Sequence, residues 1–126
     1  MILGIGIDTV EINRFQRFLD EGNQALLNRL FAPAEQEYCR PRKQAASCLA
    51  ARFAAKEAFV KAMGTGLRDG ICWTEIEVIN DQLGKPSLKL SGRALQLFSE
   101  RGTATAHLSL SHDGGHAVAQ VILEAS

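Results

Sequence analysis

The chain has 126 residues, 46% hydrophobic and 22% charged, which is long enough for one hydrophobic core and has the composition of an ordinary globular domain, not a disordered one. Fourteen Lys plus Arg balance fourteen Asp plus Glu, so no general field favours nucleic acid or an anionic membrane, and electrostatic recognition has to be local. No long linker, internal repeat or low-complexity segment divides the sequence, and residues 1–126 are expected to form a single domain.

Met1 to Ile7 is an isoleucine-dense apolar run that fits a buried strand ending at Asp8. Ile12, Phe15, Phe18 and Leu19 then recur at helical spacing, with Gly22 as the stop. This places Asp8 at a strand-to-helix junction, where two readings stand. With Glu11 three residues later, Asp8 fits the reciprocal logic of a capping box. Alternatively, a carboxylate at a strand end can point into a cleft and hold a hard cation such as Mg2+, which takes oxygen ligands and often one or two carboxylates. Gly4 and Gly6 do not open a dinucleotide fingerprint, because position 9 is threonine. Arg14 and Arg17 lie on the polar side of the helix, as a solvated face or as contacts for a partner.

Gln24 to Phe31 is a short amphipathic segment, and Pro33 opens a further helical turn or two through Glu35 and Tyr38. Pro41 separates this from Leu49 to Leu67, LAARFAAKEAFVKAMGTGL, an alanine-rich helix closed by a glycine turn. At about 100° per residue its charges form two strips, Arg52 with Lys56 and Glu57 with Lys61, divided by small and apolar residues. Such a helix is expected to pack on two sides, with its charges in clefts or at an interface. Glu57 and Lys61 are then either part of a site or an exposed i,i+4 pair worth about 0.2–0.5 kcal/mol. The three cysteines, Cys39, Cys48 and Cys72, have spacings that match neither a zinc site nor a disulfide framework, and are expected to be reduced packing residues.

Beyond Gly70 the pattern turns strand-like, with Trp73 to Asn80 placing Glu75 and Glu77 on one face. Asp81 to Gly84 reads as a hairpin loop and Ser87 to Leu90 as the returning strand. Gly84-Lys85-Pro86 fits that turn, or a cradle for a phosphate. Ser91 to Arg101 is an amphipathic helix, and two strands follow, Ala104 to Ser111 and Ala117 to Leu123. His112 and His116 flank the turn between them and share no helical face, which argues against a zinc pair, whereas His112 can donate a hydrogen bond to an anion. The element order predicts an α+β fold with a mostly antiparallel sheet covered by helices. The N-terminus lacks the features of a signal peptide and no run approaches a membrane span, so a cytoplasmic location is expected.

Four stretches, in this order, carry a family likeness: GIGIDTVEINRF at Gly4 to Phe15, RFAAKEAFVKAMGTG at Arg52 to Gly66, GKP at Gly84 to Pro86, and SLSHDGGHAVAQVILE at Ser109 to Glu124. Together they resemble the holo-[acyl-carrier-protein] synthase family, the small 4'-phosphopantetheinyl transferases. Thr9 stands where that family commonly has an aliphatic residue, and Ala32 where it usually has threonine. The resemblance implies transfer of the 4'-phosphopantetheine arm of coenzyme A to a serine of apo acyl carrier protein, releasing adenosine 3',5'-bisphosphate. On this sequence it implies Mg2+ held by Asp8 and Glu57, with Glu57 and Lys61 as catalytic groups. The serine proton would pass to Glu57 or to a water on the metal, a choice the residues leave open. Arg52, Lys85, Pro86 and His112 become candidates for contact with CoA and its phosphates, and Arg14 and Arg17 for docking an acidic carrier protein. A homotrimer with sites between subunits is also implied, with neither nucleic acid nor membrane as a partner.

Overall fold

A computed structural model describes residues 1–67 and 70–126. The chain runs through strand β1 (Ile2–Glu11) and four helices, α1 (Ile12–Asp20), α2 (Gln24–Leu30), α3 (Pro33–Cys39) and α4 (Ala45–Met63). A 3-10 turn (Trp73–Glu75) then leads into a hairpin of β2 (Ile76–Asn80) and β3 (Pro86–Leu90), followed by helix α5 (Gly92–Glu100). A second hairpin, β4 (Thr103–Asp113) and β5 (His116–Ala125), ends the chain. β1 returns to pair with β5, giving an antiparallel sheet in the order β1-β5-β4 beside the antiparallel β2-β3 pair. The fold is α+β, as expected. No helix among the described residues is long and apolar enough to cross a membrane.

Helix α4 lies across the three-stranded sheet, and small residues let it lie close. Ala50, Ala54, Ala55 and Ala58 on the helix are fully buried, as are Ala117 and Ala119 on β5. A Cβ on Gly6 would collide with the carbonyl oxygen of Ala58, and one on Gly4 with that of Ala62. Glycine is therefore required at both strand positions, and the alternation of the strand sets Asp8 on the same side as Gly6. α4 begins four residues before the expected Leu49 because Ala45-Ala46-Ser47-Cys48 continue the helix, and it ends at Gly64, whose φ of 77° only glycine adopts easily. On its other flank Phe15 contacts Phe18, Phe31 and Phe53 at centroid distances of 5.3, 5.9 and 5.6 Å, fixing α1 and α2 against α4.

A buried ion pair ties three elements together. Lys56 Nζ donates to Glu35 Oε1 at 2.6 Å and to the Trp73 carbonyl at 3.0 Å. Glu35 also accepts from the backbone N–H of Ala32 and of Val78, both at 3.0 Å. Each oxygen of this buried carboxylate is thus occupied, the condition under which an ionised group can be held in a core. Ala32, at the N-cap of α3, has no side-chain acceptor, and Glu35 satisfies its N–H from three residues further on.

Four expectations are corrected. β1 does not end at Asp8: pairing with β5 continues through Asp8↔Ala119, Thr9↔Val118, Val10↔Ala117 and Glu11↔His116, so α1 starts only at Ile12 and Asp8 is no helix cap. Nor is β1 a buried strand, because Ile5 and Ile7 point away from α4 and are 62% and 58% exposed. Cys39 and Cys48 are not reduced packing residues but are joined by a disulfide, since the turn through Pro41 folds the end of α3 back against the start of α4; Cys72 is free and exposed. Glu75 does not share a strand face with Glu77: it lies in the 3-10 turn, and its carboxylate accepts from the N–H groups of Arg93 and Ala94 in the first turn of α5.

Candidate active site

The first cluster forms where β1 passes under the C-terminal half of α4. Lys61 Nζ donates to Asp8 Oδ1 at 2.9 Å and to the Ile7 carbonyl at 3.0 Å. The ammonium reaches across to the strand and forms its ion pair with Asp8 instead of an i,i+4 pair with Glu57. Glu57 is half-buried and makes no hydrogen bond among the described residues. Burial raises its pKa, the neighbouring Asp8 carboxylate raises it further, and Lys61 and Arg14 oppose the shift. Two carboxylates therefore share one partly dry surface with one of them lacking a donor. This donor set fits a small hard cation that uses one or two carboxylates and completes its shell with water and phosphate oxygens. Among the described residues no group of three His, Cys, Asp or Glu converges, so a closed all-protein cage is not what these residues offer.

Arg14 joins this side of the molecule. Its guanidinium lies 5.8, 6.0 and 5.5 Å from the ring centres of Phe15, Phe18 and Phe53, which hold it at the surface of α1. Arg17 is exposed in the last turn of the same helix.

The second cluster lies on the opposite flank of α4. Arg52 is buried, with Nη2 donating to Asn80 Oδ1 at 2.6 Å and Nη1 to Cys48 Sγ at 3.6 Å. Its Nε is buried with no hydrogen-bond partner among the described residues. Desolvation lowers the Arg52 pKa, Glu35 and Tyr38 counter this, and Arg42 adds to the lowering. The guanidinium borders a cavity of about 380 Å³ whose walls include Tyr38, Arg42, Asn80, Ser111 and His112. Lys85 and Pro86 border an adjoining depression that shares Asn80 and Gly84 with it. The Gly84-Lys85-Pro86 segment is a turn, in which Asp81 Oδ1 accepts from the N–H groups of Leu83 and Lys85 at 2.9 Å each. Its lysine is exposed beside the cavity.

Of the residues singled out in the sequence, Asp8, Glu57, Lys61 and Arg14 are brought together, and so are Arg52, His112, Lys85 and Pro86. The two sets do not meet within one chain. Asp8 pairs with Ala119 on β5, which pairs with Leu110 on β4 at the cavity wall, so two strand spacings, about 10 Å, separate them. Along α4, Arg52 and Lys61 are about 13 Å apart on different faces. Tyr38, Arg42, Asn80 and Ser111 were not singled out from the sequence as cavity residues. Tyr38 and Arg42 stand four apart, but across a helix end where helical spacing no longer predicts contact.

The profile of the 4'-phosphopantetheinyl transferase superfamily matches residues 4–121. A holo-[acyl-carrier-protein] synthase of Trichlorobacter lovleyi is 93% identical over 125 residues, 99% of each chain. Among solved structures, the holo-[acyl-carrier-protein] synthase of Neisseria meningitidis superposes with a TM-score of 0.87 at 38% identity, covering 98% of this chain and 99% of that one. A Bacillus anthracis holo-(acyl-carrier-protein) synthase in complex with CoA (3',5'-ADP) superposes with a TM-score of 0.81 at 40% identity, covering 100% of this chain and 99% of that one. With this likeness running through both clusters and the sheet between them, the chain belongs to the 4'-phosphopantetheinyl transferase superfamily, in its holo-[acyl-carrier-protein] synthase family.

Proposed function

We propose that this enzyme transfers the 4'-phosphopantetheine arm of CoA to a serine hydroxyl of apo acyl carrier protein, with Mg2+ held by Asp8 and Glu57. The serine oxygen forms a bond to the phosphorus that carries the pantetheine. The bond from that phosphorus to the bridging oxygen breaks, and adenosine 3',5'-bisphosphate leaves. The observation that carries this reading is the meeting of Asp8, Glu57 and Lys61 at one surface, with Glu57 half-buried and without a hydrogen-bond donor among the described residues. When bound, the cation would neutralise charge on the pyrophosphate and its leaving group, the dominant need in phosphoryl transfer. Lys61, half exposed and anchored at Asp8, can donate to a phosphate oxygen. Glu57, or a water held by the cation, would take the serine proton.

Arg52, Lys85, Pro86 and His112 form the CoA-binding wall, where cationic and hydrogen-bonding groups border one cavity. Arg14 and Arg17 give α1 a local positive surface for an acidic carrier protein, which the zero net charge of the chain does not prevent. Because the carboxylate cluster and the cationic cavity lie on opposite flanks of α4, a complete site needs the cavity of a second copy. The face of the sheet turned away from α4 supports this, since Ile5 and Ile7 on β1 lie in register with Ile122 and Gln120 on β5 and are open to solvent. Joining such faces around a closed ring gives a homotrimer with its sites between subunits.

The test is the intact mass of an apo acyl carrier protein incubated with the enzyme, CoA and Mg2+. A gain of about 340 Da that a chelator abolishes is the expected result, as befits metal-assisted phosphoryl transfer. No gain with several carrier proteins and a folded enzyme would replace the transferase with a module that binds CoA or carrier protein without chemistry.

A further inference from the structure

The cavity beside Arg52 holds a second arginine that neither the family likeness nor the proposed reaction assigns. The guanidinium carbon of Arg42 lies 3.8 Å from the centre of the Tyr38 ring, and that of Arg52 lies 4.4 Å from the same centre. Arg42 Nε donates to the Tyr38 carbonyl at 3.0 Å, and its terminal nitrogens have no partner among the described residues. All three side chains line the same cavity.

Two cations brought to one wall repel each other, and among the described residues no carboxylate forms a salt bridge with either. The ring offers both a compensating attraction, since an aromatic face draws a guanidinium most strongly where water is excluded. Its place is fixed covalently: Cys39, the next residue, is bonded to Cys48, whose sulfur accepts from Arg52 Nη1. A buried Arg52 Nε and a second guanidinium whose terminal nitrogens both lack partners among the described residues make an arrangement that an anion would complete.

We propose that Arg42 is a further binding residue for a phosphate group of CoA, and that Tyr38 is its positioning residue, stacking Arg42 and Arg52 into one two-arginine wall. This rests on CoA as the ligand of the cavity. Tyr38 acts through its ring, so phenylalanine can replace it and an aliphatic residue cannot. Arg42 and Tyr38 work as one unit, and loss of either removes the same contact.

The test is calorimetric titration of CoA into the wild-type enzyme, Arg42→Gln, Tyr38→Leu, Tyr38→Phe and the Tyr38→Leu/Arg42→Gln double variant, with thermal melts to confirm folding. Steady-state kinetics are measured on the same proteins. Arg42→Gln and Tyr38→Leu are each expected to weaken CoA binding about tenfold, raising KM with little change in kcat. The double variant should lose little more than either single one, the sign of a shared contact, and Tyr38→Phe should restore the affinity lost in Tyr38→Leu. Wild-type affinity in Tyr38→Leu, or a double variant weakened by the product of the single effects, would overturn the proposal. If Tyr38→Leu does not fold, wild-type affinity in Arg42→Gln overturns it equally, because Arg42 is exposed and its change leaves the core intact. A wild-type enzyme that binds CoA with this dependence but does not modify carrier proteins would keep the two-arginine wall and remove the transferase. A wild-type enzyme that modifies them while Tyr38→Leu binds CoA normally would do the reverse.

Discussion

Two lysines of α4 occupy opposite flanks of the helix and do different work. Lys56 and its partner Glu35 have fully buried side chains, every oxygen of the carboxylate is occupied, and the pair joins α3, α4 and β2. Lys61 has a side chain 52% exposed, reaches over to Asp8, and leaves Glu57 half-buried without a donor among the described residues. The first arrangement is closed and can accept nothing more. The second is open, and its unmet carboxylate is what a cation and a phosphate would satisfy. Satisfaction, more than burial or charge, separates the structural pair from the proposed catalytic one.

The largest effect expected from this contrast is on stability. Lys56→Met strands the Glu35 carboxylate in the core and should cost about 3–5 kcal/mol in chemical denaturation. A loss below about 1 kcal/mol would mean that the buried pair is not what joins the three elements. On the open flank the effects should fall on activity. Glu57→Gln should lower transfer about a hundredfold or more, as removal of a group that stabilises developing charge does, while leaving stability within about 0.5 kcal/mol of wild type. Smaller still is the cost of Lys61→Met to folding, under about 1 kcal/mol because its ion pair with Asp8 is largely solvated on the lysine side. Equal losses of stability on the two flanks would erase the distinction between them.

The two flanks were visible in the sequence. The 100° helical period separates Arg52 and Lys56 from Glu57 and Lys61, and the six alanines between and beside them announce close packing. What faces each strip was not visible, because it depends on distant chain. Asp8 read as a strand end because the apolar run stops there, yet β5 carries the strand on to Glu11. The odd isoleucines of β1 read as core, although only alternate residues of an edge strand can meet a single covering helix. Cys39 and Cys48 gave no sign of pairing, since their contact follows from the reversal of the chain at Pro41. The cavity was the least legible part: Tyr38, Arg42, Asn80 and Ser111 come from the ends of different elements, and no local pattern links them. Asp8, Glu57 and Lys61 were legible as a set through the family motifs. Tertiary packing then supplied a physical reason for that set, the glycines at 4 and 6 that seat β1 against α4.

The central claim is that each chain carries two half-sites that work only across copies, and subunit complementation tests it most directly. Asp8→Asn removes a carboxylate from one half-site, and Arg52→Gln removes a cation from the other. Each variant alone should be inactive. Co-expressed so that subunits mix, they should regain about a quarter of wild-type transfer, the share of junctions in a random trimer that join an intact carboxylate half to an intact cationic half. A mixture as inactive as either variant alone, with mixed oligomers confirmed by native mass spectrometry, would place the whole site within one chain.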